Sequence, residues 1–267
     1  MALRSAVVNV MQQAALKASK ALVRDFGEVE QLQVSKKGPA DFVSMADLRA
    51  EETLRRELAR ARPGCGFLME ETGAVAGGDE RWIIDPLDGT LNFLHGIAHF
   101  AISIALEREG AIVAGLVHDP VRHESFWAEK GVGAYMNDRR VRVSGRTRLE
   151  ESVIATGIPY KARSDHGTYL AMLGALMPHV AGIRRFGAAA LDLAWVAAGR
   201  YDGFWELGLK PWDMAAGILL VREAGGFVSD MDGGAGMLDT GSVLAANDHL
   251  HAPVGNMLRA AIADHPP

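Results

Sequence analysis

The chain has 267 residues, 49% apolar and 23% charged, with a formal net charge of -5 and a single cysteine, Cys65. Its length suits one large domain or two fused halves with a real core, and its composition is globular rather than disordered or fibrous. The acidic balance speaks against a broad polyanion-binding surface. One cysteine excludes an intrachain disulfide, and no apolar run approaches the ~20 residues that cross a bilayer, so a soluble, cytoplasmic protein is expected.

In chain order, Leu3, Val7, Val10, Met11, Ala14, Ala18, Leu22 and Phe26 recur at helical spacing and predict a core-packing first helix rather than a targeting peptide. "VEQLQV" alternates like an exposed strand, and "SKKGPADFVS" reads as a turn-rich loop. Ser44 can cap a helix to about Ala61 with Leu48, Leu54, Leu58 and Ala61 as its apolar stripe. Phe67 to Met69 reads as a short strand ending in acids, followed by a Gly-rich connector, "AVAGGDE". Arg81 to Ile84 is a strand that Pro86 should stop, since proline offers no N–H to the ladder. "AISIALE", "AIVAGLVHDP", "ESFWAEK", "GAYMN" and "VRVS" suggest an antiparallel meander.

From Glu150 strands and helices alternate. Strands are expected at "SVIATG", "GIRRF", "YDGFWE", "GFVS" and "VLAAN". Helices are expected near 165–177 and 188–199, from about 213, and at the C-terminal end. A single domain is expected, with an N-terminal half of about 1–145 and a C-terminal half of about 146–267.

The chemistry centres on "WIIDPLDGTLNF". Asp85 and Asp88 flank the Leu87 carbonyl, and these hard oxygen donors suit Mg2+; an Asx turn with Gly89 at positive φ is the structural alternative. Gly89 and Thr90 stand where free N–H groups at a helix or turn start would favour phosphate. In "MEETG", Glu70 and Glu71 point to opposite sides of a strand end, so one acid can face a pocket. Asp213 in "KPWDMAAG" suits an N-cap or a ligand, and Asp47 in "DFVSMAD" a first-turn acid or a dipole partner. Each acid has an ordinary structural role by itself. Together they supply the separated carboxylates of a two-metal site around one phosphoryl group, because buried like charges repel without a cation.

A protein nucleophile is not evident. Cys65 has no sequence partner and "TGSV" is not a nucleophile elbow. The histidines, His118 and His123 included, lack zinc-binding spacing. Arg139, Arg140, Arg184 and Arg185 read as solvated surface charge.

"WIIDPLDGTLNF", "MEETG", "KPWD" and "DFVSMAD" together closely resemble the inositol monophosphatase family of Mg-dependent, lithium-sensitive phosphatases, most of all its bacterial group. The resemblance runs from the Lys36 loop to "EAGG" and implies an α+β fold, a layered αβαβα sandwich, as a homodimer. It further implies that Glu70, Asp85 and the Leu87 carbonyl bind one Mg2+, and Asp85, Asp88 and Asp213 a second. Glu70 and Thr90 would position the attacking water, with Asp47 accepting from the Thr90 hydroxyl. Gly89 and Thr90 N–H groups would hold phosphate, and Asp88, the Ala189 backbone and Glu206 would meet the alcohol. Lys36 would belong to a mobile loop.

Met69, Thr72 and Ala188 depart from the residues many relatives carry, Ala188 at the cost of one polar contact near the substrate. The substrate expected is a small phosphate monoester, inositol monophosphate or a related polyol or sugar phosphate. Histidinol phosphate, fructose bisphosphate and phosphoadenosine phosphate are the alternatives. The resemblance also allows contact with a transcription complex for ribosomal RNA synthesis, without direct nucleic-acid binding, through Arg139, Arg140, Arg184 and Arg185.

Overall fold

The computed structural model describes residues 4–28, 34–38, 41–159 and 166–264. Helix α1 (Ala6–Phe26) carries the expected apolar stripe; Ser5 opens it, its hydroxyl accepting from the Val8 N–H at 3.3 Å. Leu3 and most of "VEQLQV", residues 29–33, lie outside the described residues. The expected loop "SKKGPADFVS" is instead a hairpin, β1 (Val34–Gly38) and β2 (Asp41–Ser44), with Val34 opposite Ser44. Val34, Phe42 and Val43 bring enough strand propensity to pair. Lys36 therefore stands in a strand, opposite Phe42; its side chain is outside the described residues.

Helix α2 (Met45–Ala61) buries Ala46, Ala50, Leu54 and Leu58, a strict four-residue step, whereas Leu48 and Ala61 are exposed. The expected stripe was rotated by part of a turn, because small alanines rather than Leu48 face the neighbouring helix.

Eight strands form the larger sheet: β3 (Gly66–Met69), β4 (Gly73–Val75), β5 (Glu80–Asp88), β6 (Ala101–Arg108), β7 (Ala111–Asp119), β8 (Glu124–Glu129), β9 (Gly133–Met136) and β10 (Arg139–Val141). Their order is β10-β9-β8-β7-β6-β5-β3-β4. The expected meander holds from β5 to β10, and β3 lies parallel to β5. Short β4 lies partly in the Gly-rich connector, where no strand was expected. After β5 comes a one-turn helix, α3 (Thr90–Leu94).

The second sheet holds five strands in the order β12-β11-β13-β15-β14. They are β11 (Val153–Thr156), β12 (Gly182–Arg184), β13 (Gly203–Leu207), β14 (Phe227–Ser229) and β15 (Ser242–Ala246). Between them run α4 (His166–Leu176), α5 (Ala189–Ala197), α6 (Pro211–Glu223) and a short α7 (Met237–Thr240), and α8 (His251–Asp264) follows.

Strand alternation explains the layering. In β5, Trp82 and Ile84 face the core under α1 and α2, while Ile83 faces the core holding α5 and α6. In the second sheet Phe204 and Ala245 face α5 and α6, while Trp205 and Leu244 face the core that includes Tyr169 and Met172 of α4 and Val254 and Leu258 of α8. Helix pair, sheet, helix pair, sheet, helix pair is the layered αβαβα sandwich. The central pair must satisfy two sheets, so α5 buries all but Trp195 and α6 buries the unbroken run 214–221, leaving no polar face there.

Close approach in this middle layer depends on glycine. At Gly115 of β7 a Cβ would lie 3.0 Å from Ala216 Cα, and at Gly217 of α6 it would lie 2.5 Å from Leu193 Cβ. Alanine in a helix interior normally gains about 1 kcal/mol over glycine, but overpacking against a Cβ that cannot swing away costs about 1–3 kcal/mol. Gly217→Ala should therefore lower stability despite its better helix propensity. Denaturant unfolding checks this, and a higher midpoint would contradict the packing argument.

Candidate active site

Proline does not end the β5 ladder at Asp85. The strand continues to Asp88, and its register against β6 shifts between Asp85, opposite Ser103, and Asp88, opposite Ala101. Three residues on β5 span two on β6, a bulge that accommodates Pro86 without needing its N–H. The bulge turns both aspartates and the Leu87 carbonyl toward one side. Asp85 steadies it by accepting from the Leu87 N–H at 2.9 Å.

Gly89 then takes φ +91°, a left-handed backbone, and forms the N-cap of α3. A Cβ there would also crowd the His99 carbonyl oxygen at 3.0 Å. Thr90 donates its hydroxyl to the Leu87 carbonyl at 2.9 Å. Asp47 is buried in the first turn of α2.

One cleft of about 180 Å³ is lined by Glu70, Asp85, Leu87, Asp88, Gly89, Thr90, Ala189, Glu206 and Asp213. Residues from the ends of β3 and β5, from α5, β13 and α6 thus meet where the two sheets adjoin. Asp47 is not among the described lining residues. Asp213 is the third residue of α6 rather than its cap, and it accepts from the Lys210 N–H at 2.7 Å. Asp88 accepts from the Ala190 N–H at 2.8 Å, tying the bulge to the start of α5.

Four lining or supporting residues escaped the sequence reading. Glu51 is buried one helical turn from Asp47 and accepts from the Glu71 and Thr72 N–H groups at 2.9 and 3.0 Å, so it sets the loop beside Glu70. Two acids four apart on an apolar helix face were the signal available. Asn92 donates to the carbonyls of His99 and Phe186 at 2.8 and 2.7 Å and so connects α3 to the segment before α5. Gly157 leaves the space that the Glu206 carboxylate fills: a Cβ there would lie 1.9 Å from its Oε1. Arg185 lines the cleft, so it is not the plain surface charge expected.

Electrostatically, the cleft is crowded with negative charge. Burial, then the charges of Asp213 and Glu71, push the Glu70 carboxyl up to about 8, although it hydrogen-bonds Asp85. Asp85 is driven well above the carboxylate range by burial and then by Glu70. Burial and Asp213 raise Asp88 to about 7, against the pull of backbone N–H groups at the start of α5. Glu206 rises to about 8 through burial, then Asp213 and Asp88.

The donor set fits hard divalent cations, with carboxylate and carbonyl oxygens in a site that penalises uncompensated charge. Among the described residues no three carboxylate, imidazole or thiol groups form a ready-made cage.

A layered α+β sandwich with an acid-lined cleft over an αL glycine turn defines the class of layered phosphatases. The model described as "Inositol monophosphatase family" matches residues 3–263, and the chain belongs to that family. It is 62% identical to the inositol-1-monophosphatase of Mesorhizobium japonicum over 92% of this chain and 93% of that one. It is 43% identical to the Nus factor SuhB of Escherichia coli K12 over 94% and 95% of the two chains. The crystal structure of the extragenic suppressor protein suhB from Bartonella henselae superposes with a TM-score of 0.93 at 59% identity, covering 96% of this chain and 99% of that one.

The raised carboxyls carry a stability consequence. In the unfolded chain they release their protons near 4, whereas Glu70, Asp88 and Glu206 hold theirs to about 7–8 when folded. Their stabilising contribution is complete below about pH 4 and is lost as pH rises through about 8. In chelator, the melting temperature should fall between pH 5 and pH 9, and Mg2+ should restore much of it at the alkaline end. Parallel, flat pH profiles with and without Mg2+ would contradict the charge-crowding argument.

Proposed function

We propose that the chain is a Mg2+-dependent phosphomonoesterase acting on inositol monophosphate or a related polyol phosphate. The observation that carries this reading is the meeting of Glu70, Asp85, Asp88 and Asp213 in one cleft beside the Gly89–Thr90 turn. The identity to relatives named inositol-1-monophosphatase supports the substrate class.

Glu70, Asp85 and the Leu87 carbonyl would hold one Mg2+, and Asp85, Asp88 and Asp213 a second. The chemistry Mg2+ supplies when bound is neutralisation of the ester's charge, a lowered water pKa and stabilisation of the departing alkoxide. Backbone N–H groups of Gly89 and Thr90 hold phosphate oxygens. Glu70 would orient the attacking water and accept its proton. Thr90 accepts a hydrogen bond from that water through its hydroxyl oxygen, since its own hydrogen goes to Leu87. Asp88, Glu206 and the Ala189 backbone meet the hydroxyls of the alcohol.

Asp85→Asn should lower phosphate release from inositol monophosphate by about 10²-fold or more while the fold is retained, and Li+ should inhibit the wild type. Wild-type activity in the variant, or an inert wild type with Mg2+ present, would overturn the reading.

A second reading rests on the relatives named Nus factor SuhB. Contact with a transcription complex would use the exposed β10 arginines, Arg139 and Arg140, without Arg185. Capture of RNA polymerase components by Asp85→Asn, abolished by Arg139→Glu with Arg140→Glu, is expected. Equal capture by the charge-reversed protein would remove this surface from consideration.

A further inference from the structure

Among the described residues that line the cleft, Arg185 is the one cation. It lies in the segment between β12 and α5, and its side chain is exposed. Gly187, at φ +80°, makes room for it: a Cβ there would lie 2.5 Å from Arg185 Nη1. The guanidinium is therefore folded over the Gly187 backbone, whose left-handed φ itself favours glycine.

Where this cation acts is decided by its neighbours. Burial raises the carboxyls of Glu206 and Asp192 and the phenol of Tyr169, and Arg185 is the cation that opposes each rise. The charges that most affect Glu70, Asp85 and Asp88 are all carboxylates. Arg185 thus belongs to the Glu206 side of the cleft, where the alcohol of the substrate would sit, and not to the cluster proposed to hold Mg2+. None of the described carboxylates forms an ion pair with it, and none of the described acceptors takes a hydrogen bond from it. A guanidinium with its N–H fork open to a cleft recognises planar or tetrahedral oxyanions.

We propose that Arg185 is a specificity-determining residue that receives a second anionic group, carboxylate or phosphate, at the far end of the substrate's alcohol. Glu206, seated over Gly157 by the same device, takes the hydroxyls of that alcohol. A polyol phosphate with a terminal oxyanion then meets both residues, whereas a neutral polyol phosphate meets Glu206 alone. The inference rests on the reading of the cleft as a phosphomonoesterase site.

Three substrates test it: a hexitol 6-phosphate, the aldonic acid 6-phosphate that differs by one terminal carboxylate, and the hexitol 1,6-bisphosphate. Arg185→Ala should lower kcat/KM for the two doubly anionic substrates by about 10-fold, the scale of one charge-assisted hydrogen bond. The loss should fall mainly in KM, as for an interaction present equally in ground and transition states. The neutral hexitol phosphate should change by less than about 2-fold, and Arg185→Lys should recover part of the loss. A loss confined to one anionic substrate would also support the proposal and identify the preferred oxyanion.

Equal losses on all three would place Arg185 on the scissile phosphate, and no loss on any would make it surface; either overturns the proposal. If the wild type hydrolyses none, the phosphatase reading fails first. Calorimetric binding of the same three ligands to wild type and Arg185→Ala then decides this inference: a selective loss for the doubly anionic ligands sustains it, and identical affinities end it.

Discussion

The bulge at the end of β5 is the constraint on which the rest of the site depends. A regular strand would send Asp85 and Asp88 to opposite faces of the sheet, since they are three residues apart. The one-residue register shift around Pro86 cancels that alternation and leaves both carboxylates and the Leu87 carbonyl beside one cleft. The cost is repulsion between buried acids, visible in the raised protonation of Glu70, Asp85, Asp88 and Glu206. Such crowding is tolerated because the surrounding core holds the elements in place and the donors suit a divalent cation.

The middle helix layer does much of that holding. Helices α5 and α6 are clamped between two sheets, and both begin at the cleft: Ala190 N–H donates to Asp88, and Asp213 stands in the first turn of α6. Their apolar, glycine-permitted packing makes the distance between Asp88 and Asp213 a property of the core rather than of a loop. Glu51 plays the matching part from α2, fixing the backbone at Glu71 and Thr72. Rigid elements thus position the acids, and the segments between them supply Arg185 and Gly187.

Legibility from the sequence followed the strength of local signals. Helical spacing found α1, α5 and α8, and turn punctuation found the meander, because those signals are decided within a few residues. The "SKKGPADFVS" hairpin was read as a loop because its Gly and Pro outweighed Phe42 and Val43 in a short window. Pro86 was read as a strand end because a single sequence cannot say whether a partner strand absorbs the missing N–H. Of the site, the acids and the glycine turn were legible through their grouping and the family resemblance, while Glu51, Asn92 and Gly157 were not. Each of those acts across 20 or more residues of chain or through the absence of a side chain.

Arg185 marks the boundary most clearly. In the sequence it is one of two adjacent arginines, Arg184 and Arg185, chemically identical and without a pattern to separate them. By itself the sequence determined the chemistry on offer: hard oxygen donors, an αL glycine, helix starts for anions, and membership of a phosphatase family. The tertiary structure decided which charges share a cleft, because that depends on one bulge, two glycines and the packing of helices between sheets. Residue type sets what a group can bind, whereas only the fold sets what it stands next to.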